Sequence, residues 1–207
     1  MKKLLIINVV ILAVLLIAVV APDYYINYEV YVNLMDSLAS FEWLTLLGIL
    51  SGGALLSAFF AGIKPNKIPY TSRFLKINIA FNTAFLLLIL YYAALAVLSA
   101  KREYEELLSE YKIKAVSDIK NGLIVYETFG FPIVLDSADR AQIAKIDSLR
   151  RSYGLESRNI GCMMTAPLLR AQSEYEKLTA PYLDRRNGPG WKQRMDTQIA
   201  NIRKGQF

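Results

Sequence analysis

Three stretches of this chain, residues 4–21, 43–63 and 77–99, contain no Asp, Glu, Lys or Arg. Each is about 20 residues, the length a helix needs to cross roughly 30 Å of hydrocarbon. In lipid a backbone must satisfy its own N–H and C=O groups, so such runs predict membrane-spanning helices. The charge missing from them is concentrated further on, since only ten of the 42 charged residues precede residue 101. The expected fold is therefore three transmembrane α-helices followed by a small α+β soluble domain. Residues 1–100 form the anchor, with spans of about 4–21, 43–63 and 77–100. A helical stalk over 101–113 leads to the α+β domain at 114–207, a segment long enough to bury a core of its own.

The opening "MKK" and apolar run resemble the start of a secretory signal. The run exceeds the roughly 7–15-residue apolar core of such signals, and "AVVA" is followed by Pro22, so a retained helix is expected. Basic residues near span ends mark the cytoplasmic side. Lys2 and Lys3 precede the first span, and Lys64, Lys67, Arg73 and Lys76 lie between the second and third. Residues 22–42 have no Lys or Arg but carry Asp23, Glu29, Asp36 and Glu42. These counts predict a cytoplasmic N-terminus and an outer C-terminal domain, periplasmic if the membrane is a bacterial inner one. Lys101 and Arg102 oppose this, two residues against six.

The second span, "LLGILSGGALLSAFFAGIK", sacrifices side-chain bulk. Gly48, Ser51, Gly52, Ala58 and Gly62 fall on roughly one side at 100° per residue, and Gly48–Gly52 is a GxxxG spacing. Lipid tails are as apolar as leucine, so helices associate there by close packing, which small residues permit. The second span is thus expected to dock a neighbouring helix, either within the chain or in another subunit. Ala54, Ser57 and Ala61 form a second small face. In the third span Asn78 and Asn82 lie one turn apart, as interhelical hydrogen-bonding groups or as solvated interfacial amides. Between the first two spans Tyr24, Tyr25, Tyr28, Tyr31, Phe41 and Trp43 predict a short interfacial helix, or an aromatic patch for a partner.

Beyond residue 100, Tyr104, Leu107, Leu108 and Tyr111 recur at helical spacing and define the stalk, which would couple the anchor rigidly to the domain. "YKIKAVSDI" and "LIVYETF" then read as strands joined at Asn121–Gly122 by a type I′ turn. "GFPIVLDS" is a loop or edge strand. A helix from Asp136 or Ser137 turns Ile143, Ile146, Leu149 and Tyr153 inward and stops at Gly154. "RNIGCMM" is a third strand. Thr165 caps a helix carrying Leu168, Leu169, Tyr175 and Leu178, broken at Pro181. After the "NGPGW" turn, Trp191, Met195, Ile199 and Ile202 line a last helix. The domain order is approximately ββαβαα.

There is no histidine, which removes the commonest general base and the usual zinc ligand sets. No Gly-rich phosphate loop or nucleophile elbow is present. Asp136 with Asp139, at a helix start, reads as capping rather than catalysis. The single Cys162, in "IGCMM", forms no intramolecular disulfide and is expected to be a buried apolar thiol. After residue 100 there are 18 basic and 14 acidic residues, interspersed, with no basic strip suited to nucleic acid. Arg185, Arg186 and Trp191, around "DRRNGPGW", are the candidate outer contact residues, or a capped helix end with an arginine paired to Asp184.

These features predict a non-enzymatic membrane subunit of an envelope complex of the secretion, transport or respiratory type. Its partners would be the lipid bilayer and other membrane subunits, in a homo- or hetero-oligomer, and no cofactor is implied. A membrane-anchored binding or sensing protein, with a pocket near "ETFGFPIV", is the alternative. A carboxylate-based membrane enzyme is a third.

Overall fold

The computed structural model describes residues 1–31, 33–63, 68–130, 137–162 and 164–205. It divides into two compact units, Met1–Lys101 and Arg102–Phe207.

The first unit contains α1 (Lys2–Asn27), α2 (Leu34–Ser40), α3 (Trp43–Gly62) and the beginning of α4 (Tyr70–Asn121). α1, α3 and α4 are each long and apolar enough to cross a membrane. α1 runs through Pro22 for a further turn and more. Proline there forfeits one backbone donor but does not end the helix. Asn33 caps α2, its Oδ1 accepting from the Asp36 N–H at 3.0 Å. The Trp43 indole N–H donates to the Leu38 carbonyl at 2.7 Å, and its ring meets Phe41 edge-on at 4.9 Å, closing the turn into α3.

Leu15, Ser57 and Ala61 are fully buried in this unit. A buried hydroxyl needs a partner, and Ser57 Oγ donates to the Gly53 carbonyl of its own helix at 2.7 Å. Asn8 of α1 ties to α4 by donating Nδ2 to the Leu75 carbonyl at 3.2 Å. Phe60 of α3 stacks with Phe81 of α4 at 6.5 Å.

The second unit comprises the remainder of α4, β1 (Ile124–Thr128), α5 (Ser137–Ser152), β2 (Leu155–Asn159), α6 (Ala166–Asn187) and α7 (Trp191–Arg203). β1 and β2 pair in parallel, Ile124 beside Leu155 through Thr128 beside Asn159, with α5 as the crossover. Only these two strands occur among the described residues, so the ββαβαα expectation is replaced by a parallel βαβ unit followed by two helices.

The first expected strand is helix. α4 continues through "YKIKAVSDI", keeping Tyr111 and Ala115 buried while Ile113 and Val116 are each 71% exposed. Asn121–Gly122 is correspondingly no hairpin turn but the end of α4. Gly122 has φ +75°, its N–H bonds to Ile119 O at 3.2 Å, and the Leu123 N–H bonds to Asp118 O at 3.1 Å. This is a Schellman cap. The strand expected at "RNIGCMM" lies earlier, at β2. "GFPIVLDS" falls largely on residues 131–136, as does Asp136 of the proposed cap pair, and both lie outside the described residues.

Gly154 does follow α5, at φ +78°. Thr165 caps α6, its Oγ1 accepting from the Leu168 N–H at 3.4 Å. α6 does not break at Pro181 but continues to Asn187. Burial of Tyr175, Thr179 and Leu183 on both sides of the proline holds one continuous helix against its local penalty. The core gathers Tyr111, Ala115, Ile124, Leu155, Ala171, Tyr175, Leu183 and Trp191.

Candidate functional site

The small residues of α3 divide into two faces with different surroundings. Ser57 and Ala61, with Leu46, point into the unit and are buried. Gly48, Ser51 and Gly62 are exposed, while Gly52 and Ala58 are half-buried. A Cβ placed on Gly48, Gly52 or Gly62 would meet nothing within 4 Å outside its own helix backbone. Among the described residues nothing fills the space at Gly48, Gly52 and Gly62, although Tyr70 of α4 reaches Ala58 on the same side, donating Oη to its carbonyl at 3.3 Å, whereas the Ala54, Ser57 and Ala61 face supplies packing inside the unit.

Asn82 is buried and donates Nδ2 to Oδ1 of the half-buried Asn78 at 2.9 Å, one turn back along α4. Asn8, which the sequence reading passed over, makes a hydrogen bond between helices, as does Tyr70 of α4, whose Oη donates to the Ala58 carbonyl of α3 at 3.3 Å. The signal at Asn8 was a lone amide in an otherwise apolar run.

In the second unit Trp191 is a core residue, 3% exposed, rather than an outer anchor. It stacks near Tyr153 at 6.2 Å, and its indole N–H donates to Asp184 Oδ1 at 2.7 Å. Asp184 thus serves the tryptophan. Arg186 donates to the Gly122 carbonyl and to Tyr182 Oη at 3.4 Å, securing the α4–β1 corner. Arg185 is exposed beside the Gly188–Gly190 turn. The three residues do not form one contact surface.

A polar cluster that sequence reasoning missed lies between α4, β1 and α6. Glu127 accepts from Tyr111 Oη and Lys114 Nζ, and from Gln172 Nε2 at 3.2 Å. Tyr175 Oη donates to Asp118 Oδ2 at 2.6 Å and accepts from the Val125 N–H at 3.1 Å. The Lys114 ammonium lies 5.3 Å and 5.2 Å from the Tyr111 and Tyr175 ring centroids. Burial pushes the Glu127 carboxyl up, but its hydrogen bonds from Lys114, Tyr111 and Gln172 outweigh that and hold it below its ordinary value. Burial, reinforced by the neighbouring carboxylates, raises Tyr111 and Tyr175 well above theirs. Such shifts keep the acid ionised and the phenols neutral across the physiological range. They suit a structural lock, not proton transfer near pH 7.

Cys162 is exposed, contrary to the buried thiol expected from its apolar neighbours. It follows β2 in an outward loop. Among the described residues no group of three His, Cys, Asp or Glu is placed to hold a metal ion. No protein-family model matches the chain, and no curated protein or solved structure compared with it matches either.

Proposed function

We propose that the protein is a non-enzymatic subunit of a multi-subunit envelope complex of the secretion, transport or respiratory type. It sits in the cell (inner) membrane with a cytoplasmic N-terminus, and presents Arg102–Phe207 on the outer side to other components. It docks a helix of another subunit on the Gly48–Gly52 face of α3. The observation carrying this reading is the space that no described residue fills at Gly48, Gly52 and Gly62, set against the filled face at Ser57 and Ala61. Each glycine in a helix interior costs roughly 1 kcal/mol relative to alanine. A bare backbone ridge lets another helix approach closely, and the packing gained there offsets that cost.

The test replaces Gly52 with Leu in the full chain. Native mass spectrometry after mild detergent extraction should show loss of oligomer or of stoichiometric partner chains, with membrane insertion unchanged. Unaltered association would remove α3 as the docking helix.

A further inference from the structure

The first unit also contains a cleft of about 650 Å³, on a different face of α3 from the glycines. Its walls are apolar, from Val19 of α1, Leu46 and Ile49 of α3, and Phe85, Ile89 and Ala93 of α4. Its polar lining is Asp23, Glu42, Tyr31, Ser40 and Thr45, contributed by the end of the unit remote from Lys2 and Lys3. The size falls within the roughly 300–1,000 Å³ of ordinary small-molecule sites.

We propose that this cleft holds one chain of a glycerophospholipid whose head carries a primary ammonium. The inference rests on α1, α3 and α4 spanning the membrane, and is independent of what docks on Gly48 and Gly52. A cleft open to a bilayer is filled by lipid. Chain burial does not discriminate among lipids, because the surrounding tails are equally apolar. Selection must come from the polar rim, and there the charge is one-sided. Asp23 and Glu42 line it, no Lys or Arg does, and residues 4–63 contain neither.

Asp23 is held in place by Asn27 Nδ2 at 2.9 Å, Tyr31 Oη at 3.1 Å and Ser37 Oγ at 3.5 Å, and Glu42 by Thr45 Oγ1 at 3.1 Å. Two positioned carboxylates accept from an ammonium with three N–H donors. A quaternary head offers charge without donors, and a purely anionic head is repelled.

The test uses the full chain in detergent with an equimolar mixture of phosphatidylethanolamine, phosphatidylcholine and phosphatidylglycerol of identical chains. Native mass spectrometry should show the ethanolamine lipid retained several-fold over both others. Ala93→Trp, which fills the cleft, should bring retention to background. Asp23→Asn with Glu42→Gln should preserve retention and abolish the preference. Equal retention of the three lipids, preference for the glycerol lipid, or indifference to both variants overturns the proposal. A chain that partitions out of membranes and carries no lipid overturns the spanning reading itself. Loss of co-purifying chains in Gly52→Leu bears on docking alone.

Discussion

Replacing Tyr175 with Phe removes one oxygen from the centre of the second unit. That oxygen does two things at once. β1 pairs with β2 along one edge, as in the Ile124 N–H bond to Gly154 O at 2.8 Å. The Val125 N–H points the other way, and Tyr175 Oη stands in for a third strand by accepting it at 3.1 Å. Phenylalanine leaves this buried donor without an acceptor, at a cost of about 1–3 kcal/mol. The lost bond to Asp118 matters less, because that carboxylate is half-buried and can turn to water. The ring remains, so its edge-on contacts with Tyr111 at 5.7 Å and Tyr126 at 6.4 Å persist and no cavity opens. The expected loss is about 2 kcal/mol, roughly a 30-fold rise in the opening constant. Hydrogen exchange on the full chain in micelles reads this in peptides covering residues 124–128, with α3 peptides as an unchanged internal reference. Exchange within about threefold of the parent would mean that Tyr175 Oη is not the acceptor that secures β1.

Two further outcomes are expected. The Glu127 carboxyl is depressed below its ordinary value of 4.5, so its stabilising contribution is present above that pH and lost as pH falls through the lower folded value. Tyr111 and Tyr175 are raised above 10.0, so above that pH the unfolded chain ionises first and stability falls again. Thermal unfolding followed by near-ultraviolet dichroism should weaken on both sides, and Glu127→Gln should flatten the acid side only; an unchanged acid limb in that variant would discount the lock. Cys162, the only cysteine and exposed, reports sidedness directly. A membrane-impermeant maleimide should label it in intact spheroplasts, and labelling only after permeabilisation would reverse the orientation.

What the sequence made legible follows from how few alternatives a pattern has. A twenty-residue run without charge has one stable form in lipid, and α1, α3 and the first part of α4 lie where those runs lie. The second unit was harder because its local signals are ambiguous. Ile113 and Val116 are β-branched and resemble a strand, yet they sit on the solvent side of α4. Tyr111, Ala115, Asp118 and Ile119 carry the helical period that mattered. Asn121–Gly122 signals a positive φ, which a hairpin turn and a Schellman cap both require, and only the chain's path afterwards distinguishes them. The Glu127 cluster joins α4, β1 and α6 across 45 residues between Glu127 and Gln172, a separation no spacing rule reaches. Trp191 misled for a related reason. A Trp beside two arginines resembles an interface, but its indole N–H had a use within the unit seven residues back, at Asp184.

α3 shows the same limit at the level of function. Its two small faces were visible as spacing, and spacing alone treats them alike. Packing separates them, because Ser57 and Ala61 are buried within the unit while no described residue, the helix's own backbone apart, comes within 4 Å of a Cβ placed on Gly48, Gly52 or Gly62. A helix needs only one small face to seat itself against its own chain. At Gly48, Gly52 and Gly62 no described residue of this chain supplies a second neighbour, which is what the docking proposal builds on. That asymmetry, rather than the GxxxG spacing, is the physical ground for the proposal that α3 docks a helix of another subunit.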